Sequence, residues 1–196
     1  MKREGFTLVE LLAMLVVLGI LMAVAIPNIT GILRNNKLNV IKSDAIKMVD
    51  TAKIKMSSLK EDKLPENGQC VVFSLNYLND SEDINTGPNG GEYLKFESFV
   101  VVKKVQVPGS PKTSKYEYYV RLVENIKGGG FGINLANISL LSDENTEHIT
   151  AVKNVSASEE LQGIQEEDLE KLSTRLRSDP CSCSKIVVYQ PGVILK

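Results

Sequence analysis

Glu10 is the one carboxylate in an apolar stretch that opens at Phe6 and runs to Ile29. An acid without a partner inside a membrane span is strongly unfavourable, so a residue kept there marks function. The chemistry open to it is to accept a positive charge brought by another molecule. The second reactive set is Cys70, Cys181 and Cys183. Two residues of separation rarely gives the Cβ geometry of a disulfide, so Cys181 and Cys183 are not expected to bridge each other. Cys70 is expected to pair with one of them, and Cys183 is preferred because it adjoins the last apolar run. The closed loop would stabilise the fold by about 4–5 kcal/mol in the chain-entropy picture. The odd thiol is left free and open to reaction. The competing reading is three reduced, partly buried thiols.

The remaining polar residues do not assemble into catalytic patterns. His148 is the single histidine, with no dyad or triad context. Gly128-Gly-Gly-Phe-Gly132 lacks the lysine and hydroxyl residue that follow a phosphate loop, and reads as a turn or bulge. Asp80, Glu82, Asp83 and Asn85 gather oxygen ligands in one loop, but not at EF-hand spacing. One distant cysteine, a C-x-C pair and a lone histidine do not make a zinc site. No metal, cofactor or enzymatic activity is expected.

The elements that would position these residues are legible along the chain. Lys2 and Arg3 hold residues 1–5 on the cytoplasmic side by the positive-inside rule. Leu11 to Ile26 carries no charge. With its flanks it makes a segment over 6–29 long enough for a hydrocarbon core of about 30 Å. Pro27 removes a backbone donor, and Gly19 is a weak helix former, so Gly19 to Pro27 is the part of the helix least resistant to melting. Past Gly31 the pattern turns amphipathic. Leu38, Ile41, Ala45, Met48, Ala52, Met56 and Leu59 recur at three- and four-residue steps over the segment 30–59. A helix from Phe6 to Leu59 would run about 80 Å. Leu64-Pro65-Glu66-Asn67-Gly68 ends it with turn chemistry.

At the N-terminus, Gly5-Phe6-Thr7-Leu8-Val9-Glu10, the apolar run behind it and Pro27 together resemble the type IV pilins and related pseudopilins. The close resemblance covers roughly residues 1–35. It implies a prepilin leader over residues 1–5, a membrane peptidase that cuts between Gly5 and Phe6, and N-methylation of the new terminal Phe6. It implies a single pass through the cytoplasmic membrane, then extraction into a surface filament made with copies of itself or related pilins. Glu10 would accept the ammonium of a neighbouring Phe6 and help set axial register. Gly19 to Pro27 would unwind on assembly. The partners would be the peptidase and methyltransferase, a membrane platform, an assembly ATPase and the bilayer before assembly. The head would supply the outer surface and any adhesive specificity.

Two other readings compete. Ala23-Val24-Ala25 closes an apolar run as a secretory signal would, and cleavage before Ile26 would release a soluble binding domain. Alternatively the helix anchors a receptor domain that never assembles. Glu10 opposes both, because neither gives it work.

The head, 60–196, is expected to be β-rich, making the whole chain α+β. Strands are expected at Cys70–Leu75, Tyr93–Val107, Tyr116–Glu124, Phe131–Leu141, Ile149–Val155 and Lys185–Tyr189. Pro108 to Lys115 reads as a hairpin loop. A late helix is expected from the Ser156–Glu159 capping box, stopped at Asp179-Pro180. The antiparallel sheet should pack on the stripe Leu38, Ile41, Ala45, Met48, Ala52 and Met56. Formal net charge is −1, which points to neither nucleic acid nor an anionic membrane surface. Charge is uneven, however. Eight bases and four acids lie between Arg34 and Lys63, while Glu159 to Glu170 holds six acids and no base. Such a split suits surfaces that meet in an assembly. Nucleic acid is not an expected partner, since no aromatic stacking platform accompanies the lysines.

Overall fold

The computed structural model describes residues 7–78, 84–95, 97–126, 130–141, 149–152, 176–178, 180–190 and 193–195. The chain divides into two compact units, Met1–Lys37 and Leu38–Lys196. The first contains most of helix α1, which is assigned over Leu8–Ser57 without interruption. From Leu8 to Leu33 its described large apolar side chains are exposed on every side, from Leu8 at 79% to Leu18 at 51%. A helix apolar all round has no face suited to water and must be covered by something else. Among the described residues no helix is long and apolar enough to cross a membrane. The side chains of 24–28 and 30, inside the apolar run, lie outside that description.

In the second unit the pattern becomes one-sided, as the heptad-like spacing requires. Ile41, Ala45, Met48 and Ala52 have no exposed surface, and Leu38 and Met56 are buried with them. They pack with Val71, Phe73, Val100, Val102, Val120, Leu122 and Ile133 from one face of a sheet. The strands are β1 (Cys70–Ser74), β2 (Glu92–Tyr93), β3 (Phe99–Val107), β4 (Ser110–Asn125), β5 (Gly130–Asn137), β6 (Ile149–Val152), β7 (Ile186–Gln190) and β8 (Val193–Leu195). Their order is β6-β5-β4-β3-β1-β7-β8, with β2 paired to β4 off this path. The architecture is α+β, with a sheet rich in antiparallel pairs. One pair departs from the antiparallel expectation: β1 and β7 run parallel, Cys70 opposite Ile186 and Phe73 opposite Tyr189.

Several local differences have physical causes. The Tyr93–Val107 run is two strands, because the chain turns between Leu94 and Ser98, where Ser98 N donates to Leu94 O at 2.9 Å. The Pro108–Lys115 segment is not a loop. Only Pro108-Gly109 turns, with Gly109 at φ 81°, and strand resumes at Ser110. A register shift between Gln106 and Val107 absorbs the extra residues. Pro111 is tolerated there, its carbonyl taken by the Gln106 amide at 2.6 Å. The first apolar run ends one residue early, where Leu75–Leu78 forms the short helix α2.

The sheet's other face is also covered. Cys70, Val72, Phe99, Val101, Tyr119, Leu135, Ile186 and Val188 form a second buried cluster with Leu176, Cys181 and Cys183. This explains why all five residues of β1 are buried. The expected late helix and its capping box at Ser156 and Glu159 lie outside the described residues, except for helical Leu176 and Arg177.

Candidate functional site

The start of α1 is built as a reciprocal cap. The Thr7 backbone N–H donates to Glu10 Oε2 at 2.9 Å, and the Thr7 hydroxyl donates to the same oxygen at 2.8 Å. The Glu10 N–H in turn approaches Thr7 Oγ1 at 3.4 Å. Leu11 N donates to Thr7 O at 3.2 Å, so Thr7 is the capping residue and Glu10 the third helical position. This is the capping box, in which two donors left without partners at a helix start are satisfied by side chains. A carboxylate here also opposes the partial positive charge of the helix N-terminus. Glu10 therefore has a local partner, against the expectation of an unpaired acid, and Thr7-Leu8-Val9-Glu10 carries the signal for it. The box leaves the carboxylate exposed.

Gly5 and Phe6 lie outside the described residues. Gly19 is helical, with no heavy atom near the position a Cβ would take beyond its own helix. The helix assignment passes through Pro27, whose side chain is outside the description. His148, Asp80, Glu82, Asp83 and the Gly128-Gly129 part of the glycine run also lie outside it; Gly130 begins β5 and Gly132 lies within it.

Cys70 and Cys183 form a disulfide with Cα atoms 5.7 Å apart, joining the first residue of β1 to the segment just before β7. Cys181 is a buried free thiol. Burial pushes its pKa up to about 12, against an opposing pull from the Lys103 ammonium. That ammonium donates to the carbonyls of Cys181 at 2.6 Å and Ser182 at 3.2 Å. The C-x-C segment is thus tied to β3 as well as to β1, and the spare thiol is held in its unreactive neutral form.

Two buried acids were not singled out by the sequence. The Tyr93 hydroxyl donates to Asp44 Oδ2 at 2.9 Å, fastening α1 to β2. Burial, then the Asp44 carboxylate, raises the Tyr93 pKa. Glu124, 2% exposed, accepts from Asn89 N and Nδ2, both at 2.8 Å, and from Gly91 N at 3.3 Å. Glycine is required at 87 and 91, where a Cβ would collide with the Glu124 side chain and with the backbone of Asn125. These groups hold the fold, and they do not converge on a reacting centre. No group of three potential metal-ligating side chains occurs among the described residues.

Residues 1–26 match the prokaryotic N-terminal methylation motif, the leader signature of type IV pilins and pseudopilins. The matched segment ends inside the apolar part of α1 and contains Gly5, Phe6, Thr7 and Glu10. No curated protein and no solved structure matches the chain.

Proposed function

We propose that this chain is a structural subunit of a type IV pilus or a related pseudopilin filament, and not an enzyme. The observation that supports it is the methylation motif placed on a helical stretch, Leu8 to Leu33, whose described large apolar side chains are exposed on every side and whose one acid, Glu10, stands in the first turn. In a bilayer that helix is solvated by lipid. In a filament it is buried against like helices, so no apolar surface enters water at either stage. Cleavage after Gly5 leaves an ammonium on Phe6, one residue before the helix cap. A positive charge there is opposed by the helix dipole and by the low dielectric around it. A carboxylate one helix away relieves that opposition. Glu10 is held in its capping box by Thr7 until such a neighbour arrives. The ion pair fixes axial register, and the compact head from Leu38 onward gives the filament its outer surface. The peptidase with its methyltransferase, a membrane platform and an assembly ATPase are the partners this cycle demands. The place of action is the cytoplasmic membrane and then the cell surface.

Two measurements test the reading. Intact mass of the mature protein should correspond to a methylated chain starting at Phe6; a start at Ile26 would establish a secreted protein instead. Glu10→Val should leave membrane insertion and cleavage intact while lowering the ratio of this protein in sheared fibres to that in membranes. An unchanged ratio would remove Glu10 from assembly.

A further inference from the structure

A cleft of about 110 Å³ opens between the 3-10 turn Glu61–Lys63 and the strand pair β1–β7. Its apolar lining comes from Leu64, Val71 and Val187, and its polar lining from Lys63, Lys185 and Tyr189, with Asp62 beside them. All of these belong to the second unit. Lys63 shares its charge with Asp62 at 3.4 Å. Among the described residues the Lys185 ammonium, on an exposed side chain, meets no acceptor. Tyr189 is 4% exposed, its ring fixed against Phe73 at 5.3 Å and Tyr77 at 5.9 Å. Its hydroxyl makes no hydrogen bond among the described residues, and no fully buried side-chain oxygen among them lacks a partner. The hydroxyl therefore reaches solvent, and the cleft is where Tyr189 does so. After burial, which raises its pKa, the groups acting on that hydroxyl include Lys63 and Asp62, two members of the same lining.

The lining thus offers one ammonium without an acceptor, one phenolic donor on a rigid ring, and a second ammonium shared with an acid. Two lysines against one carboxylate leave a single positive charge, which suits a monoanion over a doubly charged phosphate. The apolar floor suits a short carbon stem. We propose that this cleft binds a carboxylate carried on a short aliphatic stem, held by Lys185 and the Tyr189 hydroxyl. The same chemistry is presented by an Asp or Glu side chain of a neighbouring protein and by a free small carboxylic acid.

The test uses the full-length protein in detergent micelles, with butyrate as the probe and a carbodiimide to activate it. The activated carboxyl carbon forms an amide with the nearest amine and releases the urea. Peptide mass mapping compares acylation at Lys185 with that at exposed Lys112. Lys185 should react about ten- to a hundredfold faster, as expected when a bound carboxylate is held by a hydrogen bond to a charged group. Tyr189→Phe, which keeps the ring, should abolish the preference. Equal rates at Lys185 and Lys112 would overturn the site. So would a preference that survives Tyr189→Phe unchanged, since it would belong to Lys185 alone. In intact cells treated with carbodiimide and no added acid, a Lys185 cross-link to an acidic residue of another chain identifies the protein source. Butyrate capture without such a cross-link identifies the free acid.

Discussion

Replacing Tyr93 by Phe isolates the contact that ties α1 to the loop side of the sheet. The substitution removes one oxygen and keeps the ring, which is 2% exposed and fully packed. What is lost is the 2.9 Å hydrogen bond to Asp44 Oδ2. The Asp44 side chain is only 10% exposed, and its remaining partner among the described residues is the Lys47 ammonium at 3.5 Å, itself 56% exposed. A hydrogen bond to a charged group contributes about 1.5–3 kcal/mol. An exposed lysine at that distance offers about 0–1 kcal/mol and cannot replace it. For a domain of this size about 2–4 °C of Tm follows each kcal/mol, so Tyr93→Phe should lower Tm by about 3–12 °C. The assay is thermal unfolding followed by circular dichroism on residues 34–196, which should fold as a soluble domain because its core closes within the second unit. A double-mutant cycle with Asp44→Ala assigns the effect, with a coupling of about 1 kcal/mol or more expected for groups in direct contact. A Tm within about 1 °C of the parent, or a coupling near zero, would refute the reasoning.

Ile41→Asp or Met48→Asp should leave the same domain unfolded at room temperature, since both sites have no exposed surface and an unpaired buried carboxylate adds to the lost packing; cooperative melting near the parent Tm would count against this face as the core. Reducing the Cys70–Cys183 bond, which spans 113 residues, should lower unfolding free energy by about 4–5 kcal/mol, read as a shift in urea midpoint with and without phosphine; no shift would show that the bond adds nothing. Cys181 should resist iodoacetamide at neutral pH in the folded chain and react at once in urea. Its folded pKa, about 12, lies above the ordinary thiol value of 9. The stability it contributes is therefore full below pH 9 and is lost as pH rises through 12; rapid labelling of folded protein would contradict that placement.

The parts of the molecule written as local patterns were legible in the sequence. The stripe from Leu38 to Met56 is read by spacing alone, because one periodicity decides which side chains are buried. The leader and Glu10 were likewise local. What escaped depended on distant partners. β1 reads as a short apolar run, and nothing in Cys-Val-Val-Phe-Ser states that β7 will lie beside it in parallel. Asp44 looked like one more helix-surface acid, and only Tyr93, 49 residues away, makes it structural. Glu124 reads as the end of a strand, and only Asn89 and Gly91, folded onto it from more than thirty residues away, make it structural. Thr7–Glu10 is a different kind of miss. Its capping signature is local, four consecutive residues long, and the same carboxylate that caps the helix start stays exposed.

The parallel pairing of β1 with β7 has a consequence for the order of events in biogenesis. β1 sits between β3 and β7 in the sheet, so one of its edges is satisfied early and the other waits until Ile186–Gln190 has emerged. The Cys70 thiol waits with it, because its partner is Cys183. A strand edge held open is a template for the wrong neighbour, and pairing over such sequence distance is slow. Completion of the head is thereby tied to arrival of Ile186–Gln190. A chain halted before Cys183 would display an open edge on β1 and a bare Cys70 thiol, two marks by which an unfinished chain differs from a completed one.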